Sequence, residues 1–374
     1  MKREAPACFL AWNVGAWVAC TLVLLAAVPA RAQWQVESKD GQANIKVGFL
    51  AQPQLEVLET PDTTGESKNI YLRRIRILFG GQISEKWTFF LDTDSPNLGK
   101  ATPSAETNPT GEKNAGDIYI QDAYFTFNES KAFKVDAGMI LVPLSHNHNQ
   151  SAATLLPVDY GPYTFTEGTA LGSVVGRDYG VQLRGYPLDE HLEYRLGVFQ
   201  GVRGVEARDS FRVAGRAVWY PFAADTGFFY TGTFQGTKRV VGIGAGFDTQ
   251  KEYHSYAADV FVEQPFNKGE QGLTAQFDWT RFDGGTFLTT LPKQDAVLVE
   301  AAFHFMKGRV SPLVQYSRKT FENPLMPEES IYQVGVAYWM AGHQRNIKVT
   351  AGRQHVDLEP DRTQVLVQLQ IYYF

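Results

Sequence analysis

From about residue 46 to the end of the chain, apolar and polar residues alternate with a period of two, and the polar parity returns repeatedly to arginine. In residues 70–79, Tyr71, Ile75, Ile77 and Phe79 share one parity while Arg74 and Arg76 occupy the other. Residues 178–184 set Tyr179, Val181 and Leu183 against Asp178, Gly180, Gln182 and Arg184. The same holds for Leu192, Tyr194, Leu196 and Val198 against Glu193 and Arg195, and for Phe211, Val213, Ala217 and Trp219 against Arg212 and Arg216. Successive side chains of a strand point to opposite faces, so the pattern predicts strands with one apolar and one polar face. A sandwich or propeller would bury one of those faces in a dry core, where repeated guanidinium groups lack compensation. A closed barrel with water inside and lipid outside removes that conflict and leaves no unpaired strand edge in the membrane. The sequence therefore predicts an all-β fold, a transmembrane antiparallel β-barrel.

Seventeen segments carry the pattern, the first at 46–56, the ninth at 226–236 and the last at 363–374. A bacterial outer-membrane barrel closes on an even number of strands, so one segment is not part of it. Connection lengths stop alternating cleanly between residues 226 and 282, which locates the surplus segment there. Sixteen strands is the expected count, with 18 as the fallback. Short turns at 83–86, 128–132, 186–191, 305–309 and 341–345 contrast with long Gly/Pro/Asn/Ser loops at 95–116 and 143–175. Short turns at one end and long loops at the other belong to the same architecture.

The N-terminus predicts export. Lys2 and Arg3 precede an apolar run, Val14 to Val28, and Ala30-Arg31-Ala32 supplies a small-residue cleavage site, so residues 1–32 read as a signal peptide cut after Ala32. The run is shorter than the roughly 18 residues a membrane anchor needs. Cys20 is followed by further apolar residues, which is wrong for a lipid-anchored start. Both cysteines, Cys8 and Cys20, fall in this leader, so residues 33–374 can hold neither disulfide nor thiolate metal site. Losing Lys2, Arg3, Arg31 and Glu4 takes 35 basic and 40 acidic residues to 32 and 39, a net charge near −7 that argues against nucleic acid as partner. Trp87, Tyr160, Tyr163, Trp219, Trp279, Trp339, Tyr372 and Tyr373 fall toward expected strand ends, where aromatic girdles meet the lipid interface. The last strand ends on Tyr372-Tyr373-Phe374, similar to the aromatic insertion signal of barrel proteins, with Phe374 on the parity opposite to Tyr373.

Three stretches in order resemble the phosphate-selective porin O/P family: YLRRIRILFGGQISEKWTFFLDTD from Tyr71, IQDAYFTF followed by FKVDAGMILVPLS, and GRDYGVQLRGY followed by EYRLGVFQG. The resemblance covers most of residues 33–374. It implies a 16-stranded homotrimeric outer-membrane porin in contact with lipid and lipopolysaccharide, with anion-conducting channels and a third loop folded into the lumen as constriction.

A pore needs no catalytic group; its chemistry is the field along its wall. Strand parity puts Arg74, Arg76, Arg184, Arg195, Arg212 and Arg216 inside, with Lys134 and Lys348 as further cations. Guanidinium groups stay charged and offer forked donors to an oxyanion, which suits anion guidance. The alternative is bracing, in which these arginines pair with Asp92, Asp94, Asp122, Asp136, Asp178 and Glu193, also on inward parities. The expected constriction loop, 143–176, has no Lys or Arg; it carries Asp159, Glu167, His146 and His148. Any cation for phosphate must then come from the wall. His146 and His148 lack a third metal ligand nearby, and Ser145 beside His146 does not make a catalytic pair, because neighbours on an extended chain point apart. The expectation is a passive pore for small hydrophilic solutes with a mild anion preference, no cofactor, no metal and no enzymatic activity. The alternatives are a non-selective or weakly cation-preferring pore, and a plugged structural or adhesive barrel.

Overall fold

Residues 34–60, 65–101, 113–173 and 175–374 are described by the computed structural model of the chain; the expected leader lies outside them. The strands are β1 (Trp34–Glu37), β2 (Asn44–Thr60), β3 (Gly65–Ser84), β4 (Trp87–Asp94), β5 (Tyr119–Ser130), β6 (Phe133–Leu141), β7 (Arg177–Gly185), β8 (Leu192–Phe199) and β9 (Arg212–Trp219). They continue with β10 (Val240–Gln250), β11 (Tyr253–Phe266), β12 (Gln271–Asp283), β13 (Gln294–His304), β14 (Val310–Phe321), β15 (Glu329–Trp339), β16 (Arg345–Val356) and β17 (Arg362–Tyr373). From β2 onward each strand pairs antiparallel with the next, and β17 returns to β2, closing a barrel of 16 strands. The short β1 adds to the start of β2 through Trp34↔Val47, on the edge that β17 leaves after Tyr373↔Phe49.

The expected count of 16 is met. Every marked segment coincides with a barrel strand except 226–236, which lies inside the interval where the surplus was located. Residues 220–239 instead connect β9 to β10 from the end with the tight turns and run into the barrel, where Tyr230 and Thr233 are fully buried.

The faces are inverted relative to a soluble protein. Val334 on the outside is 58% exposed, whereas Arg195 on the inside is 2% exposed. An apolar outer wall of this kind requires lipid around it. No helix among the described residues is long and apolar enough to cross a membrane.

Of four register shifts among the described strands, the two away from the tight turns reset the alternation. The β2–β3 register shifts between Ala51 and Pro53, opposite Arg73 and Arg74. Pro53 has no N–H for the ladder, and a bulge is where a strand tolerates that. Beyond it Tyr71, expected on the parity of Ile75, turns inward and donates its hydroxyl to Glu56 at 3.1 Å. The β4–β5 register shifts at Asp92/Thr93, and consecutive Gln121 and Asp122 are both fully buried.

The aromatic girdle is smaller than expected. Trp87 and Trp219 are exposed on the outer wall, and Tyr373 meets Phe49 there at 5.8 Å. Trp279 is half-buried and gives its indole N–H to Asp295. Tyr160 and Tyr163 belong to the interior loop, and Tyr372 turns inward to pack with Leu50 and Leu78. Trp339 also faces in, donating to Ser311 Oγ at 2.9 Å, because its neighbour Tyr338 occupies the outward parity. Phe374 points inward for a visible reason. Its ring lies over two glycines: a Cβ on Gly48 would stand 2.9 Å from Phe374 Cδ2, and one on Gly80 2.6 Å from Cζ.

Candidate functional site

The connection from β6 to β7 folds inside the barrel as a strap. Residues 141–150 are all buried. The strap first turns on Asn149, whose side chain accepts the Leu144 N–H and donates to the Val142 carbonyl. In the same turn the backbone N–H groups of His146 and Asn147 donate to the carboxylates of Asp259 and Asp278 on β11 and β12, at 3.3 and 2.9 Å. The His146 ring is stacked between Tyr230 (5.0 Å) and Phe261 (4.4 Å). Burial pushes its pKa down to about 3, against the pull of Asp259.

Across the barrel the strap is held by its carbonyls. Wall side chains donate to it in order: Gln52 to Ala152, Gln370 to Ala153, Lys348 to Leu155 and Pro157, Gln368 to Val158, and Gln315 to Asp159. Leu156 packs between Leu313, Ala337 and Trp339; emptying such a site costs about 2–5 kcal/mol. The strap ends in α1 (Gly168–Leu171), a single turn, after Glu167 has met the imidazole of His148 at 3.0 Å with both side chains buried. Asp159 is the electrostatic clasp. Its two oxygens face Arg73 Nε and an Arg74 terminal nitrogen, each at 2.6 Å. Burial alone would raise this carboxyl; the two guanidinium charges and their hydrogen bonds outweigh it and hold it well below the usual carboxylate range. The bulge in β3 is what brings two consecutive arginines onto one carboxylate.

The expected arginine column is present, and each member has a carboxylate. Arg74 takes Asp159 and the Gln52 amide. Arg76 lies between Asp92 (3.3 Å) and Asp94 (2.8 Å). Arg184 forks onto Asp136, and Arg195 donates from Nε to Glu193 at 2.6 Å. Arg212 bridges Asp178 and Asp248, and Arg216 forks onto Asp259 at 2.5 and 2.7 Å. These six are at most 8% exposed. Lys348 is buried against strap carbonyls, while half-buried Lys134 makes no ion pair among the described residues. Of the acids paired from parity, Asp122 meets Arg177, which alternation did not single out. On the far wall Glu263, Asp278 and Glu300 are buried and make no ion pair among the described residues; their carboxyls are met by Thr274 and by the amides of Gln276 and Gln315.

Sequence reasoning missed the inserted segment 220–239 and the row of wall glutamines. The segment carries Phe228, Phe229 and Tyr230 into the interior, and Arg195 donates to the Phe228 carbonyl at 2.8 Å. Its alternation reads as a strand because its aromatic side chains meet an interior wall instead of lipid. The glutamines carried a signal: Gln52, Gln54, Gln368 and Gln370 share the inward parity of two strands that pair with each other. No group of three or more His, Cys, Asp or Glu side chains is arranged to hold a metal ion among the described residues.

The family model described as phosphate-selective porin O and P matches residues 45–281. Among solved structures the chain is similar to Salmonella typhi OmpF in complex with daunomycin, at 14% identity over 90% of this chain and 100% of that one, TM-score 0.56. It is similar to the anion-selective porin from Comamonas acidovorans at 10% identity over 89% and 100%, TM-score 0.55. It is also similar to the outer membrane channel DcaP of Acinetobacter baumannii at 9% identity over 90% and 99%, TM-score 0.55. At these identities the likeness speaks for the fold alone. No curated protein matches the sequence. With more than half of its length matched by the family model and a closed 16-stranded barrel around an inward-folded loop, the chain belongs to the phosphate-selective porin O and P family.

Proposed function

We propose that this outer-membrane porin passes small hydrophilic solutes and ions by passive diffusion with weak charge selectivity and without a dedicated phosphate site. The observation that carries the reading is the pairing of the arginine column: Arg76, Arg184, Arg195, Arg212 and Arg216 each face a carboxylate within 3.3 Å. A guanidinium neutralised at that distance contributes little field to a passing anion. The wall field is therefore close to balanced, because buried acids without an ion pair on β11–β13 favour their neutral form and add little charge of their own, so the mild anion preference expected from arginine parity gives way to a near-neutral pore. In this reading residues 1–32 direct export and are removed, the strap within 143–176 is the constriction, and the assembly is a homotrimer in contact with lipopolysaccharide. No catalytic role is proposed.

The test is the reversal potential of the purified protein in a planar bilayer under a KCl gradient, followed by phosphate competition. A small reversal without block is expected. A strong anion reversal with chloride current blocked by low phosphate would overturn the reading. A second reading, a plugged barrel, is favoured by the burial of all residues from 141 to 150; it predicts no open-channel conductance until part of 146–170 is deleted.

A further inference from the structure

Residues 220–239 leave β9 at the end of the barrel where β7–β8, β11–β12 and β13–β14 are joined by tight turns. They do not turn there. The backbone of Tyr230 donates to Asn149 at 2.8 Å and accepts from Ser151 at 2.9 Å, so the segment adds itself edge-on to the strap as a parallel bridge. The strap enters from the long-loop end, so the two pieces reach the same depth from opposite mouths. Donors from the wall hold the segment: Tyr186 and Arg195 to the Gly227 carbonyl, Arg216 to the Tyr230 hydroxyl.

One aromatic row ties this segment to the closure of the barrel. Phe229 meets Phe90 at 5.9 Å, and Phe90 meets Phe374 at 5.5 Å, both edge to face. Such contacts depend on ring placement as well as buried area. Phe374 reaches that point only when β17 has paired with β2, through Tyr373↔Phe49, and its ring occupies the space that Gly48 and Gly80 leave by lacking a Cβ. It packs there beside Ala153 of the strap as well. We infer that residues 226–236 are a second constriction element, inserted from the short-turn end, and that Phe374 is the positioning residue that seats it once the barrel has closed. The inference rests on the reading of the barrel as a conducting pore.

The experiment uses the full-length protein refolded into planar bilayers, with Phe229→Ala and Gly80→Val as the variants. The second leaves Phe374 itself unchanged but drives its ring off the glycine floor. Both are expected to raise single-channel conductance about twofold or more, while heat-modifiable electrophoresis shows the barrel melting as in the parent. Phe229→Tyr, which keeps the ring, should restore the parental conductance. A purely stabilising role would lower the melting temperature and leave conductance alone. Conductance in Phe229→Ala and Gly80→Val equal to the parent's, zero included, overturns the inference. A silent parent whose variants conduct supports the seat and overturns instead the reading of the native barrel as open.

Discussion

Replacing Asp159 with Asn removes the one strap carboxylate that Arg73 and Arg74 share and leaves two guanidinium groups facing the pore. The two bonds are short, 2.6 Å each, but Asp159 and Arg73 keep 28% and 23% of their side-chain surface in solvent. Charged hydrogen bonds contribute about 1.5–3 kcal/mol each, and partial exposure reduces that, so the strap loses about 2–3 kcal/mol in all. The wall donors on Ala152 to Val158 remain, and the strap stays docked. The larger effect is on the field. An ion passing at about 6 Å in a water-like dielectric feels the lost charge as about 0.7 kcal/mol, and screening near 0.1 M salt roughly halves it. Cation and anion shift in opposite senses, so the chloride-to-potassium permeability ratio should rise by about fourfold. The assay is the reversal potential of Asp159→Asn against Asp159→Glu, which keeps the charge. An unchanged ratio in a folded Asp159→Asn barrel would refute the placement of this carboxylate on the permeation path.

Acid should loosen the strap. His146 is neutral when folded, with its pKa at about 3 against an ordinary 6.5, so the stability it adds is complete above pH 6.5 and drains away as pH falls toward 3. Asp159, held below its ordinary 3.8, adds its own loss only further down that scale. Between pH 6.5 and 4 His146 shares the slope with the buried turn residue His343, whose pKa burial lowers to about 4, so His146→Phe should reduce the slope in thermal melts without abolishing it; an identical slope in the variant would dismiss the assignment. Arg216→Met leaves Asp259 buried and unpaired, which should cost about 3–5 kcal/mol. The double change Arg216→Met with Asp259→Leu should recover much of it in unfolding by denaturant, and no recovery would count against the pair as the cause.

The period of two made the wall legible, because a strand with lipid on one side cannot disguise its parity. It could not say what lies on the inner side of that wall. Arg212 and Asp248 fall on β9 and β10, which are neighbours only because the segment 226–236 between them is not a wall strand, so the pairing partners stayed hidden while the inward direction did not. The segment 226–236 misled because alternation reports the spacing of apolar residues and not their neighbours; Phe229 lies against Phe90 rather than lipid. Tyr71 misled because a bulge adds one residue to β3 at Arg73–Arg74, a change of register signalled by Pro53, opposite Leu72 on the partner strand, and not by the alternation of β3 itself.

The wall grips the strap by its peptide carbonyls, from Ala152 through Asp159, and those groups are the same whatever side chains the strap carries. Leu155, Leu156 and Val158 are buried and fixed in size, but Thr154 and Tyr160 still reach solvent. A barrel of this design can exchange the residues that greet a solute without disturbing how the strap is moored. The side chains of the strap can change while its mooring stands still.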